Sequence, residues 1–224
     1  MQRRPTRELL DNDSGTPSEV AASLEDLRWF NRWFGGISTS ARLTETAARK
    51  SRKLSVLEVA AGDGFLPRAL QGRLRQLDIQ VTLLDRAPGH LSGNNCMHSV
   101  CGDALALPFK DSSFDLVSSS LFVHHLAPEE VLLFVQEALR VCRIAVLVND
   151  LIRHPFHLAV AYAGVPFYRS RITRHDAPAS VRQAYTVREM RDLLEKAGPG
   201  RVDLSRQYFF RMGAIVWKEG NPVR

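Results

Sequence analysis

The stretch Leu57-Glu58-Val59-Ala60-Ala61-Gly62-Asp63-Gly64 joins a short apolar run to a glycine-rich turn. The run from Leu54 to Ala60 ends in this turn, which is typical of a buried parallel strand. A helix is predicted directly after it, from Leu66 to Leu77. Glycines at such a junction allow a tight turn and let the backbone approach a ligand closely. The stretch therefore predicts a strand, a ligand-binding turn and a helix in succession.

The same alternation continues along the chain. Helices are predicted over 128–141 and 186–197, and further strands over 80–84, 97–101, 114–119, 144–149, 201–209 and 211–218. Strands that alternate with helices indicate a mostly parallel sheet with right-handed crossovers.

Two segments lie outside this alternation. Thr16-Pro17-Ser18-Glu19 predicts a capping box that opens a helix, which ends at Gly35-Gly36 and is followed by a second helix over about 39–50. Prolines and aromatic residues in 151–180 indicate an inserted helical element over the carboxyl edge of the sheet. The predicted division is an N-terminal helical lid (1–50), a core (51–150), a helical cap (151–180) and the C-terminal part of the core (181–224).

Composition narrows the range of functions. The net charge of +6 and the pI of about 9.6 favour acidic partners, but no block of five like charges occurs, so a solvated basic face is expected rather than a nucleic-acid patch. The cysteines, Cys96, Cys101 and Cys142, lack CxxC or His/Cys metal spacing, so we predict no metal site and a reducing compartment. The N-terminus lacks an apolar signal region, and a cytoplasmic protein is expected.

The glycine-rich turn does not fit a nicotinamide cofactor. A GxGxxG frame that starts at position 60 meets Ala60 and Phe65 where glycines are needed, and a frame that starts at Gly62 meets Pro67 in third place. The acidic Glu58 within the strand is also unlike such a site. The turn therefore indicates a different nucleoside cofactor.

Acidic residues follow the next two strands. Asp85 ends the second strand, where its carboxylate can accept two hydrogen bonds from a ribose diol. A helix-capping role is not expected, because Pro88-Gly89 opposes immediate helix formation. Asp103 lies at the tip of the third strand, where it can accept a hydrogen bond from an adenine amino group. Both positions suit an adenosine cofactor.

These residues resemble motif I and the following motifs of the class I S-adenosylmethionine-dependent methyltransferases. Ala60 replaces the first glycine of the motif, and we expect a slightly narrower turn without loss of binding. Leu107-Pro108-Phe109 followed by Ser113-Phe114-Asp115-Leu116-Val117 resembles the branch that includes the ubiquinone and menaquinone biosynthesis methyltransferases. The resemblance implies a Rossmann-like α/β fold with a seven-stranded sheet, mostly parallel with an antiparallel last strand, and helices on both faces.

The resemblance also implies S-adenosylmethionine as cofactor. The residues expected to bind it are Glu58, Ala60, Gly62, Gly64, Asp85, Arg86, Gly102, Asp103, Ala104 and Ser119. The run from Ser119 to Leu126 lacks the Asn/Asp-Pro-Pro-aromatic motif of amino-directed DNA methyltransferases. His124 and His125 are the candidate catalytic residues; on a helix they would point to different faces, so one at most would face the substrate.

The acceptor is predicted to be a small aromatic or quinone-like metabolite, methylated on oxygen or carbon. Phe30 and Phe34 are expected to seal the lid against the sheet. The candidate substrate-binding residues are Trp29, Trp33, Asn149 with its neighbour Asp150, His154 and Tyr185. An RNA acceptor is the alternative that net charge supports. A catalytically silent cofactor-binding protein is a third possibility, although the acids at 58, 85 and 103 speak against it. The oligomeric state stays open.

Overall fold

The structure is a computed structural model that describes residues 1–12, 14–49, 51–91 and 97–220. Its strands are β1 (Lys53–Val59), β2 (Asp78–Asp85), β3 (His98–Cys101), β4 (Phe114–Ser120), β5 (Cys142–Leu151), β6 (Val202–Arg206) and β7 (Arg211–Trp217). They form one sheet in the order β3-β2-β1-β4-β5-β7-β6. Strands β1 to β5 pair in parallel, and β7 runs antiparallel to both β5 and β6. The predicted seven-stranded, mostly parallel sheet is confirmed.

Strand β1 shows why the sheet is buried on both faces. Leu54 and Val56 belong to one hydrophobic core, and Leu57 and Val59 belong to the other. Side chains alternate between the faces of a strand, so the apolar residues of β1 fill both cores. The strand therefore needs helices on both sides.

The helices are α1 (Pro17–Trp33), α2 (Gly36–Ala48), α3 (Phe65–Arg73), α4 (Pro88–Leu91), α5 (Pro128–Val141), α6 (Pro155–Gly164), α7 (Arg171–Gln183) and α8 (Val187–Ala197). Leu43 of α2 and Leu70 of α3 pack in one core, and Phe134 of α5 and Leu194 of α8 pack in the other. Both faces are therefore covered, as predicted.

The start of α1 matches its prediction in detail. The Glu19 amide donates to Thr16 Oγ1 at 3.3 Å, and the Thr16 amide donates to Glu19 Oε2 at 2.9 Å. This reciprocal pair is the capping box. Gly35, with φ of +79°, then separates α1 from α2, which begins at Gly36, earlier than predicted.

Two expectations about local structure are wrong. The first was that Pro88-Gly89 opposes a helix after β2. Helix α4 begins at Pro88 itself, because proline suits the first turn of a helix, where no intrahelical amide donor is needed. Phe34 is 41% exposed and does not seal the lid, whereas Phe30 is partly buried. The buried residues of α1 are polar, Ser23 and Asp26, because α1 packs on α7 through hydrogen bonds such as Thr173 Oγ1 to Ser23 Oγ at 3.1 Å.

The N-terminal segment, residues 1–12, lies against α7 and the chain that follows β4. Arg3 donates to the carbonyl oxygen of Gln183 at 2.6 Å and to that of Leu126 at 2.8 Å. The amides of Leu9 and Leu10 donate to the two carboxylate oxygens of Asp176 at 2.9 and 3.0 Å. The segment is thus fixed by partly buried polar contacts beside the carboxyl edge of the sheet.

The inserted helical element predicted over 151–180 corresponds to α6 and α7. In the part of the chain that the structure describes, no helix is both long enough and apolar enough to cross a membrane. Cys101 and Cys142 are free thiols, and Cys96 lies outside the described residues.

Candidate active site

The glycine-rich turn after β1 leaves open space above its backbone. Ala60, Gly62 and Gly64 all have left-handed conformations, with φ of 54°, 53° and 67°. A Cβ atom placed on Gly62 would meet no heavy atom within 4 Å. The turn is anchored to the neighbouring strand by the Ala61 amide, which donates to the carbonyl oxygen of Leu84 at 3.1 Å. A ligand can therefore approach the backbone here without displacing a side chain.

Ala60 takes the place of the first glycine of the turn. It adopts the left-handed conformation that a glycine would take there. An L-residue in this region bears a steric cost between its Cβ and its own backbone. The chain thus keeps the glycine geometry with a strained alanine.

Asp85 connects the glycine-rich turn to the end of β2. Its Oδ2 accepts from the Gly62 amide at 2.8 Å, and its Oδ1 accepts from the Ala87 amide at 2.9 Å. The expectation that Pro88-Gly89 would oppose a helix here is wrong, and Asp85 bonds to the residue that precedes α4. A carboxylate has about four acceptor positions, so two remain for a ligand.

The other predicted cofactor residues lie along the same edge. The Gly102 amide donates to the carbonyl oxygen of Asp85 at 3.1 Å, which fixes the end of β3 beside the end of β2. Asp103 is exposed and accepts from the Leu105 amide at 2.9 Å. Arg86 is exposed, and Ala104 packs against the hydrophobic core.

Glu58 lies behind the turn rather than in its open space. Its buried side chain borders a small cavity with Thr44, Leu70 and Ser118, between the sheet and the helices α2 and α3. Burial raises the pKa of the Glu58 carboxyl to about 7, against the opposing effect of a hydrogen bond with Ser118. Glu58 is therefore enclosed between the sheet and these two helices.

Two hydroxyl groups at the end of β4 lack partners. Ser119 pairs in register with Val59, the last residue of β1, and Ser120 follows it. Among the described residues, the Oγ atoms of both serines are shielded from solvent without a hydrogen bond. An unsatisfied buried hydroxyl costs free energy, which a polar ligand atom at this edge would recover. The donor and acceptor set at the edge fits an adenosine cofactor.

The predicted catalytic histidines follow this strand in a 3-10 turn, Val123–His125. Their rings are neighbours, with centroids 4.2 Å apart and planes at 35°. The expectation that they point to different faces is wrong, because the chain forms a tight turn here and α5 begins only at Pro128. The two rings can therefore act on one ligand together.

His124 is held between two carboxylates. Its Nδ1 lies 2.6 Å from Asp150 Oδ1, and its Nε2 lies 3.5 Å from Glu8 Oε1. Burial alone would lower the pKa of His124, but the carboxylates of Asp150 and Glu8 outweigh burial and raise the pKa to about 10. His124 is thus positively charged at neutral pH. The sequence analysis named Asp150 only as the neighbour of Asn149, and it did not find Glu8.

His125 shares the Glu8 carboxylate. Its Nδ1 lies 3.2 Å from Asp11 Oδ2, and its Nε2 lies 3.9 Å from Glu8 Oε2. Burial would raise the pKa of Glu8, but the hydrogen bond with His124 and the charges of both histidines lower it. The N-terminal segment therefore contributes two carboxylates that the sequence pattern did not indicate.

Comparison with known proteins shows which families residues 57–146 resemble. A family model described as a methyltransferase domain matches residues 57–146. Over 106 residues the chain is 35% identical to the ubiquinone/menaquinone biosynthesis C-methyltransferase UbiE of Ruegeria sp. (strain TM1040), a match that spans 43% of this chain and 40% of that protein's length. Residues 57–146 are therefore similar to a methyltransferase domain, over less than half of this chain.

Solved structures agree with this fold. The plantazolicin methyltransferase BpumL, in complex with a monoazolic desmethylPZN analog and SAH, superposes with a TM-score of 0.70 at 14% identity, with 94% of each chain covered. Magnesium protoporphyrin IX methyltransferase (ChlM) from Synechocystis PCC 6803 superposes with a TM-score of 0.55 at 14% identity, covering 83% of this chain and 84% of that one. Both support the methyltransferase fold along most of the chain.

Helix α1 lies against the glycine-rich turn of the methyltransferase domain. Arg28 donates through Nε to Asp63 Oδ2 at 2.7 Å, and its guanidinium forms an ion pair with the same carboxylate. Trp29 and Trp33, on the same helix, are 46% and 61% exposed. The predicted lid thus contacts the turn and presents two indole rings to solvent.

The remaining predicted substrate residues are not brought together. Asn149 is buried; its Nδ2 donates to the carbonyl oxygen of Gly36 at 2.9 Å, and its Oδ1 accepts from Arg211 at 3.1 Å. Tyr185 is also buried, and its hydroxyl donates to the carbonyl oxygen of Leu126 at 2.7 Å. His154 is exposed, caps α6 and stacks on Phe210. Asn149 and Tyr185 therefore stabilise the fold, and Trp29, Trp33 and His154 stay candidates.

Proposed function

We propose that the chain binds S-adenosylmethionine and transfers its methyl group to a small aromatic or quinone-like acceptor, on oxygen or carbon. The observation that carries the proposal is the open left-handed turn from Ala60 to Gly64, joined at Gly62 to the carboxylate of Asp85. The cofactor supplies a methyl group activated by a positive sulfur. The chain supplies alignment and a water-poor environment.

The proposed cofactor contacts follow from the free acceptor and donor positions. Asp85 would accept from the ribose hydroxyls with the lone pairs that Gly62 and Ala87 leave unused. Asp103 would accept from the adenine amino group. The unpartnered hydroxyls of Ser119 and Ser120 would bond to polar atoms of the cofactor near the end of β4.

Calorimetry tests the cofactor assignment. We expect micromolar binding of S-adenosylmethionine and S-adenosylhomocysteine, and no binding of NADH. Tight NADH binding without S-adenosylhomocysteine binding would overturn the assignment. Cofactor binding without methyl transfer to any acceptor would favour the catalytically silent alternative.

The proposed acceptor class rests on the exposed aromatic side chains and on the relative at 35% identity, whose name places it in ubiquinone and menaquinone biosynthesis. Trp29 and Trp33 of α1, together with Phe156 and Tyr162 of α6, expose between 46% and 64% of their surface. Flat aromatic acceptors bind well to such rings, because offset and edge-to-face ring pairs add to apolar burial.

The proposed chemistry requires a proton to leave a phenol or an activated ring carbon. His124 is unsuited to accept it, because both ring nitrogens face carboxylates and its pKa is about 10. The side chain of His125 is 21% exposed, against 3% for His124. We therefore propose His125 as the histidine that faces the acceptor.

A direct comparison of acceptors tests the substrate class. Labelled S-adenosylmethionine is offered with a set of phenols and quinols, or with total RNA, at low and at raised salt. We expect labelled small-molecule products and little labelled RNA. Strong RNA labelling that falls steeply with salt would support the alternative, because phosphate contacts release counterions. The Asp85→Asn variant serves as the control for cofactor-dependent labelling.

A cytoplasmic location is part of the same proposal. The free thiols of Cys101 and Cys142 fit a reducing compartment.

A further inference from the structure

Three side chains with metal-binding atoms meet beside the turn that follows β4. Glu8, His124 and His125 each offer one donor atom, and these atoms lie within 4.8 Å of one another. Glu8 Oε1 is 3.5 Å from His124 Nε2, and Glu8 Oε2 is 3.9 Å from His125 Nε2. Ligand atoms around a tetrahedral zinc ion, with bonds of about 2.0–2.2 Å, are roughly 3.3 Å apart. A small inward movement would bring all three donors to bonding distance.

The second nitrogen of each imidazole faces a carboxylate. His124 Nδ1 lies 2.6 Å from Asp150 Oδ1, and His125 Nδ1 lies 3.2 Å from Asp11 Oδ2. Histidines that bind metal ions almost always donate their other ring N–H to such a partner, which fixes the tautomer and orients the ring. His124 carries a proton on both ring nitrogens at neutral pH, and a metal ion would displace the proton on Nε2. With the ion bound, the partners of both imidazoles would hold the proton on Nδ1 and leave the Nε2 lone pairs for the metal.

The Glu8 carboxylate is oriented in the same way. Ser180 Oγ and Gln183 Nε2 both donate to Glu8 Oε1 at 2.6 Å. Oε2 has no such donor among the described residues, and it lies 3.9 Å from His125 Nε2. Both residues that hold the carboxylate belong to α7. Glu8 is thus presented to the histidines by a rigid helix, although it comes from an irregular segment.

The charge around the cluster favours a cation. Three carboxylates, those of Glu8, Asp11 and Asp150, surround two imidazoles. Arg86 contributes a positive charge near Asp11. Two neutral imidazoles and one carboxylate around a divalent ion would balance this negative charge without a buried imidazolium.

We propose that Glu8, His124 and His125 bind a divalent transition-metal ion such as Zn²⁺. Two imidazole nitrogens and one carboxylate form a three-ligand set that leaves a fourth position open, which is the arrangement of catalytic zinc sites. His125 is the most exposed of the three side chains, so the open position lies on its side.

The ion would have a role at the acceptor, and this part of the inference rests on the proposed function. With His125 Nε2 bound to it, a metal ion at the carboxyl edge of β4 would replace that imidazole in the proton step: it would polarise an acceptor oxygen and favour its ionised form, and the proton would pass to solvent. Binding of the ion itself does not depend on methyl transfer, so the two ideas can fail separately.

Metal titration of the 224-residue chain tests the site. After treatment with a chelator, the protein is titrated with Co²⁺, and the visible absorption of the bound ion is recorded; Zn²⁺ is then added in competition. We expect one ion per chain, and an affinity lowered by at least about 100-fold in Glu8→Gln and in His125→Asn. Asp11→Asn, which removes only the partner of His125, should lose about 10- to 100-fold.

Controls separate loss of the site from loss of the fold. His98→Asn removes an exposed histidine at the start of β3 and should leave the affinity unchanged. Zn²⁺ should raise the unfolding temperature of the wild type and of His98→Asn, but not that of Glu8→Gln, in a folded protein. S-adenosylhomocysteine binding, measured on the same samples, reports on the proposed cofactor site.

Two results would overturn the inference. One is no Co²⁺ or Zn²⁺ binding at about 1 mM metal, and the other is binding that survives both Glu8→Gln and His125→Asn. If S-adenosylhomocysteine binds and Co²⁺ does not, the metal site fails alone. If Co²⁺ binds and S-adenosylhomocysteine does not, the proposed function fails alone.

Discussion

The turns after β1 and β4 begin alike and end in different environments. Each starts with a non-glycine residue in the left-handed region, Ala60 and Leu121, both with φ of 54°. The first turn continues through glycines and has open space at Gly62, whereas the second is filled by Glu8 from the N-terminal segment and Asp150 from β5. One turn is therefore prepared for a ligand from solution, and the other receives a distant part of the chain.

The two regions also differ in how their buried charges are balanced. Below the first turn, Glu58 has no cationic partner among the described residues, and burial raises its pKa to about 7. Beside the second turn, Asp150 and Glu8 are paired with His124, and their pKa values stay below the usual range although burial would raise them. An unpaired buried carboxyl favours its neutral form, and a paired one favours its charged form.

The largest expected effect is a pH-dependent change in unfolding free energy caused by Glu58. Its pKa rises from 4.5 to about 7 on folding, so the unfolded chain releases its proton at lower pH than the folded one. The stabilising contribution of the neutral carboxyl is complete below pH 4.5 and is lost as the pH rises through 7. Relative to Glu58→Gln, the wild type should lose up to about 3 kcal/mol of unfolding free energy across this window.

Urea unfolding at pH values from 4.5 to 8 measures this difference. Glu45→Gln, at an exposed position on α2, is the matched control and should show no such trend relative to the wild type. Parallel pH profiles for the wild type and Glu58→Gln would mean that Glu58 is ionised throughout and that the contrast between the two turns is not electrostatic.

The next largest expected effect is a loss of cofactor affinity at the open turn. Asp85→Ala should weaken S-adenosylhomocysteine binding by about 1.5–3 kcal/mol, the usual value of hydrogen bonds to a charged group. Part of this loss has a structural origin, because the Gly62 and Ala87 amides lose their acceptor. Asp103→Ala should cost less, since apolar contacts also hold an adenine ring.

Calorimetry of both variants, with circular dichroism to confirm folding, measures the difference. Asp78→Ala, at the exposed start of β2, is the control for removal of a carboxylate from the same strand. An unchanged affinity in a folded Asp85→Ala protein would show that the ribose assignment is wrong.

The sequence determined much of the first region because its parts are contiguous. Local patterns predicted the sheet and the proposed cofactor edge. These patterns are the apolar run of β1, the glycines after it and the acids that end the next strands. The capping box at Thr16 and Glu19 was equally local and is confirmed.

The second region depends on contacts between distant segments. Glu8 reaches His124 only because Arg3 and Asp176 fix the N-terminal segment on α7, and no periodicity in residues 1–12 indicates this. The sequence analysis named Asn149 as a substrate residue and Asp150 only as its neighbour, yet Asn149 faces α2 and Asp150 faces His124. Adjacent strand residues point to opposite faces, so an error of one position reverses the assignment.

The smallest expected effect is a change in unfolding free energy that reports the strain of Ala60 in the open turn. Ala60 has φ of 54°, a conformation that costs an L-residue free energy and a glycine almost none. Ala60→Gly should therefore raise the unfolding free energy by about 1 kcal/mol, because the relieved strain exceeds the extra entropy of the unfolded glycine. The neighbouring Ala61, which is not in the left-handed region, provides the contrast: Ala61→Gly should lower stability by about 0.5–1 kcal/mol, since only the entropy term remains. Chemical unfolding of the two variants measures both signs. A loss of stability in both variants would show that Ala60 is unstrained. Backbone strain at position 60 would then not distinguish this turn.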